Sequence, residues 1–165
     1  MFEHISNPEY LHVLLNPLPV YGLAMGVLGL IAALILRSRR ARVTALLIIL
    51  VSAFSAWPVY HYGEAGYDRV LSMSDDPGAK WLDEHKRRGE NLIYVFYAVA
   101  ALAAVTIVAD IKLPNAAIPL ASITLLLGAL TLGIGGYIAY PGGHVRHREF
   151  RFEPAPEKVP GHNAP

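Results

Sequence analysis

The chain has 165 residues, of which 54% are hydrophobic and 16% charged, with a mean hydropathy of +0.38. Length allows one domain, and the composition is too apolar for an ordinary soluble one. A formal net charge of +1 excludes the basic field that nucleic-acid binding needs, so no nucleic-acid partner is expected. The absence of cysteine excludes disulfides, thiolate metal sites, iron–sulfur clusters and covalently attached c-type haem.

The first ten residues carry Glu3 and Glu9 and lack the basic region of a cleavable signal. The first apolar segment is therefore expected to stay as a membrane span. Asn7-Pro8-Glu9 reads as a helix cap, a proline at the first helical position and an acid in the first turn. It predicts a short interfacial helix over 8–15 that carries His12. Asn16-Pro17 repeats the pattern and starts span one, over 18–36. Gly22 and Gly26 form a GxxxG pair and Gly29 with Ala33 repeats the small spacing, which suits close helix packing.

The run 37–42 (RSRRAR) is a short basic loop of the kind retained in the cytoplasm, which puts the N terminus outside. Span two is expected over 43–62, kinked near its end by Pro58, with Trp57, Tyr60 and Tyr62 in an aromatic belt. Residues 63–90 read as the one sizeable polar connection. Within it, Asp76-Pro77 reads as a cap and first helical position, and nothing breaks the helix from there into span three, over 91–109. A turn over 110–115 leads to span four, over 116–140, which Pro141-Gly142-Gly143 should end. The prediction is an all-α integral membrane protein, a four-helix up-down-up-down bundle over 1–150 with a flexible tail over 151–165. No internal repeat is clear.

This topology brings His12, His61, His85 and His144 to one rim, one per span. Histidine is the usual axial ligand of b-type haem, and bundles supply such ligands from facing helices. The four histidines are thus candidate haem-iron ligands. His61 with His144, and His12 with His85, are possible pairs. Trp81, His85, Gly89 and Leu92 share a helix face, on which Gly89 leaves room beside His85. Phe54, Trp57 and His61 share another. Gly135, Gly136, Gly142 and Gly143 offer space for a porphyrin edge, and Arg87, Arg88, Arg146 or Arg148 offer partners for its propionates. The plain alternative is interfacial histidine with its polar tip in water, and belt or packing roles for Trp57 and Trp81. The more exposed His4, His147 and His162 are given no site role. The same histidines with Glu64, Asp68, Asp83 and Glu84 form a second constellation of the kind that holds zinc, copper or iron. No nucleophile motif, P-loop or dinucleotide fingerprint occurs.

Three short motifs resemble those of a bacterial family of small four-span membrane proteins of unassigned function, often found beside or fused to cytochrome c modules. His12 and Pro19 match its opening His-Pro-x-x-x-His-x-Pro run, in which Val13 and Pro17 replace the proline and second histidine. His85 and Asn91 match a histidine followed six residues later by asparagine. The run 135–140 (GGYIAY) matches the family's end of span four, although Gly142 stands at the usual histidine and His144 follows it. The resemblance implies membrane electron transfer, with b haem, between quinones and an external cytochrome, and leaves His61 to replace one displaced ligand.

The leading expectation is thus a haem b membrane electron-transfer subunit of the bacterial inner membrane, with both termini outside and with redox subunits or cytochrome c as partners. A cofactor-free anchor or assembly subunit is the first alternative. A histidine–carboxylate metal protein is the second, less favoured because no ionisable residue lies deep in a span.

Overall fold

Prolines and capping side chains set where the helices start. The computed structural model describes residues 6–157; His4 and His162 lie outside them. Helix α1 runs Pro8–Leu15, behind Asn7 in extended backbone. It does not stop at Asn16-Pro17. A π-helical turn, Leu18–Gly22, carries it into α2, Leu23–Ile35, so the interfacial helix and span one form one helical run.

A tight turn follows. Arg37 takes a positive φ of 51°, and the amides of Arg37 and Ser38 close back on Leu34 and Ala33. Ser38 then caps α3, Arg39–Phe54, by accepting from the Ala41 amide. Span two breaks at Ser55 and resumes as α4, Ala56–Ser72. Pro58 explains the place: it has no N–H for the Phe54 carbonyl, one turn back. The expected polar connection is helical for most of its length. α4 runs on to Ser72, and α5, Asp76–Lys112, starts after three residues. Asp75, not Asp76, is its cap, accepting from the Gly78 amide at 2.9 Å. As expected, α5 continues unbroken into span three.

Two further boundaries differ from expectation. α5 extends past Asp110 to Lys112, and Leu113 alone separates it from α6, Pro114–Arg146. α6 also continues through Pro141 to Arg146 rather than ending there. Arg88 supplies the reason. Proline at 141 cannot donate to the Tyr137 carbonyl, and Arg88 Nη1 donates to it instead at 2.8 Å. A 3₁₀ turn, Arg148–Phe150, leads to the tail. Arg151 fastens it, donating to both carboxylate oxygens of Asp75 and to the His144 and Val145 carbonyls.

The chain is all-helical among the described residues, and four helical runs are long and apolar enough to cross a membrane. Their shared core holds Leu23, Leu30, Leu46, Ile49, Phe96 and Val99. The glycine pair seats α2 on α3: a side chain at Gly22 would strike Ser52, and one at Gly26 would come within 2.6 Å of Ile49. Thr106 and Thr124 join α5 to α6 at 2.9 Å. At the end away from the histidines, Arg42 grips Asp110 through two bonds of 2.6 Å, with both residues buried.

Candidate functional site: a cavity walled by two histidines

Residues from α1 and the π turn after it, from the length of α4, from α5 up to Phe96 and from the end of α6 surround a cavity of about 1300 Å³. That exceeds the roughly 300–1,000 Å³ of pockets for drug-sized ligands. Pro19, Val20, Ala56, Ile93, Phe96 and Gly135 make an apolar floor, and Glu9, Glu64, Lys86, Arg146 and His147 lie toward the polar end.

His12 and His85 face each other in its walls. Their ring centroids are 6.1 Å apart and their planes stand at 77°. His12 Nδ1 meets the Val59 carbonyl at 2.8 Å, and His85 Nδ1 meets the Ile138 carbonyl at 2.7 Å. A carbonyl only accepts, so each Nδ1 carries a proton, and in the neutral ring Nε2 is the nitrogen with a lone pair. This is the hydrogen bonding that fixes metal-bound imidazoles.

The same local device holds both rings. Gly63 stands four residues after Val59, and Gly142 four after Ile138. A Cβ at Gly63 would approach His12 Nδ1 to 2.8 Å, and one at Gly142 would approach the His85 ring to 3.1 Å. Each histidine reaches its carbonyl because the next turn has no side chain. The two hairpins thus repeat one arrangement that residue matching does not reveal.

The other expected site residues fall elsewhere. Gly89 lines the cavity, and a Cβ there would meet nothing within 4 Å. Gly135, Gly142 and Gly143 line it too, whereas Gly136 does not. His61 is exposed and stacks on Trp57, itself 54% exposed, at 5.9 Å on the outer face of α4. His144 is only 5% exposed but lies outside the lining, between Trp81 at 4.5 Å and Tyr140 at 4.4 Å. Its Nδ1 donates to the Tyr140 carbonyl, while His144 Nε2 and Trp81 Nε1 are buried without partners. Arg88 is not in the lining either. It holds Glu84 and the Tyr137 carbonyl and covers the Tyr137 ring at 3.8 Å.

Sequence reasoning missed Gly63 and the two carbonyls. The signal was a β-branched residue followed by glycine one turn later, opposite a histidine-bearing helix. Glu64, of the suggested carboxylate set, pairs with Lys86 at 3.5 Å, and Glu84 pairs with Arg87 and Arg88. No group of three or more histidine, aspartate or glutamate side chains placed to hold a metal ion occurs among the described residues. No protein-family model, curated protein or solved structure matches the chain.

Proposed function

We propose that the chain is a membrane electron-transfer subunit that holds b-type haem between His12 and His85. The observation that carries this reading is the pair of neighbouring histidines in the lining of one large, mostly apolar cavity, each with its Nδ1 fixed on a backbone carbonyl. An imidazole nitrogen binds a first-row metal at about 2.0–2.1 Å, and the ring centroids of His12 and His85, 6.1 Å apart, are close enough for both residues to hold one ion. Porphyrin supplies four nitrogens, so iron in it needs only two protein ligands, which suits a chain without cysteine. Bound haem would supply a one-electron couple. The protein's part is to fix both imidazole tautomers, leave glycine-lined space and surround the ligands with apolar wall.

Within this proposal the spans run up-down-up-down, as their short connections favour. The membrane is the bacterial inner membrane, and the basic run 37–42 keeps the opposite end cytoplasmic. The cavity then faces outward, where an external cytochrome can receive electrons from the quinone pool.

A second reading rests on the same ring pair. Edge-to-face rings pack at centroid distances of about 4.5–7 Å without any metal. In that case His12 and His85 pack helices in a cofactor-free anchor subunit.

A reduced-minus-oxidised spectrum of the detergent-purified protein, with a pyridine haemochrome assay, separates the two. The expected result is a b-type signal that falls to background in His12→Ala and His85→Ala and survives in His61→Ala and His144→Ala. A flat spectrum from protein expressed with ample haem would sink the haem reading and leave the anchor.

A further inference from the structure

Among the described residues, the cavity's lining carries one cation without a carboxylate partner, the exposed Arg146. Four charged side chains line the cavity: Glu9, Glu64, Lys86 and Arg146. Glu9 pairs with Arg69 at 3.0 Å, and Lys86 pairs with Glu64 and Glu90. Arg146 has no ion pair among the described residues. Among the described residues its side chain donates to the Met73 sulfur, at 3.8 Å, and a thioether is a weak acceptor for a guanidinium with five N–H donors. The remaining basic residues nearby are engaged outside the cavity. Arg87 and Arg88 hold Glu84, and Arg148 and Arg151 hold Asp75.

We propose that Arg146 binds the propionates of the haem, and so orients its carboxylate edge toward the outer mouth and its apolar edge toward the floor at Phe96 and Gly135. This rests on the haem reading above. Haem is an apolar disc with both carboxylates on one edge, and the cavity is graded in the same sense. Arg146 lies one helical turn beyond Gly142, where the His85 ring seats, or about 6 Å along α6. Its long side chain brings a planar donor fork to that edge, suited to bidentate carboxylate contact. The consequence is functional: the polar edge, through which an external partner exchanges electrons, sits at the rim.

The test uses the full chain, purified without haem in detergent. It is titrated with iron protoporphyrin IX and with its dimethyl ester, which keeps the iron and the disc but has no carboxylates. Wild type should prefer the free acid by roughly ten- to hundredfold. Arg146→Gln should lose that preference by weakening free-acid binding alone, with ester affinity unchanged. Arg148→Gln, whose guanidinium is on Asp75, should keep it. Equal affinity of wild type for both porphyrins, an unchanged preference in Arg146→Gln, or loss of ester binding in that variant overturns the proposal while the haem reading stands. Failure of wild type to bind either porphyrin overturns both.

Discussion

Gly142 and Gly89 sit beside the same histidine and do opposite things. A methyl group at Gly142 would arrive 3.1 Å from the His85 ring, so the ring must shift by a few tenths of an ångström, against its bond to the Ile138 carbonyl. Loss of a bond that orients a metal-bound histidine typically weakens metal affinity by roughly ten- to hundredfold. On the proposed haem reading, Gly142→Ala should therefore lower haem affinity by about that factor, measured by titration of the haem-free protein. At Gly89 a Cβ would meet nothing within 4 Å, and Gly89 lines the cavity, so a large side chain there should extend into it. Gly89→Phe should keep the helix content seen by circular dichroism and lose most of the haem. Normal haem stoichiometry in that variant would mean that the cofactor sits elsewhere. His61 and His144 show why rotation about a helix matters as much as depth along it. Val59 and Gly63 face inward, and His61, two residues past Val59, is turned about 200° from it. His144 stands in the same relation to Gly142.

At the scale of elements, the continuation of α6 past Pro141 depends on a residue from α5. The Tyr137 carbonyl, freed by the proline, is met by Arg88. Arg88→Met should leave it to solvent and lower stability by about 0.5–1.5 kcal/mol, read as an earlier thermal transition in detergent. In a Pro141→Ala background the helix recovers its own amide, so the same substitution should cost less there. Equal costs in both backgrounds would separate Arg88 from the proline. The four apolar spans, the short helix carrying His12 and the unbroken α5 were legible because hydropathy and capping act within one helix. The ends of α4 and α6 were not, since a helix does not stop where charge begins. Residues 63–72 and 141–146 stay helical beyond the apolar stretch because partner helices cover them: Gly66 packs on the α1 backbone and Val145 on Trp81. Which histidines meet was likewise illegible, because that depends on helix facing. The glycine that seats each ring is the part of the signal a sequence does contain.

Across the whole molecule, the two ends of the bundle are tied by ion pairs of different kinds. At the cavity end, Asp75 clasps Arg151 and Arg148, and these guanidiniums together with the Gly78 amide hold its carboxyl down to about 2. A depressed carboxyl contributes above its unfolded value, near 3.8, and the contribution is lost as pH falls toward 2. Trp81 lies in the cluster that Val145 and Ala155 complete, so its fluorescence should change in that window as the tail lets go. Asp75→Asn should remove the pH step. At the far end, the Arg42–Asp110 pair is buried, with Arg42 7% and Asp110 2% exposed, and it pins the start of α3 to the end of α5. Breaking such a pair from one side strands a charge and costs about 3–5 kcal/mol, whereas replacing both partners with apolar side chains is often neutral. Asp110→Ala should therefore melt well below wild type, and the double change Arg42→Met, Asp110→Leu should regain most of the loss. Asp110 lies 21 residues along α5 from Gly89, about 31 Å. If the protein holds haem as proposed, both variants should thus keep the wild-type haem spectrum below the melting transition. A spectral change in folded Asp110→Ala protein would show that the two ends are coupled through α5, and that this pair sets the histidine geometry as well as the stability of the bundle.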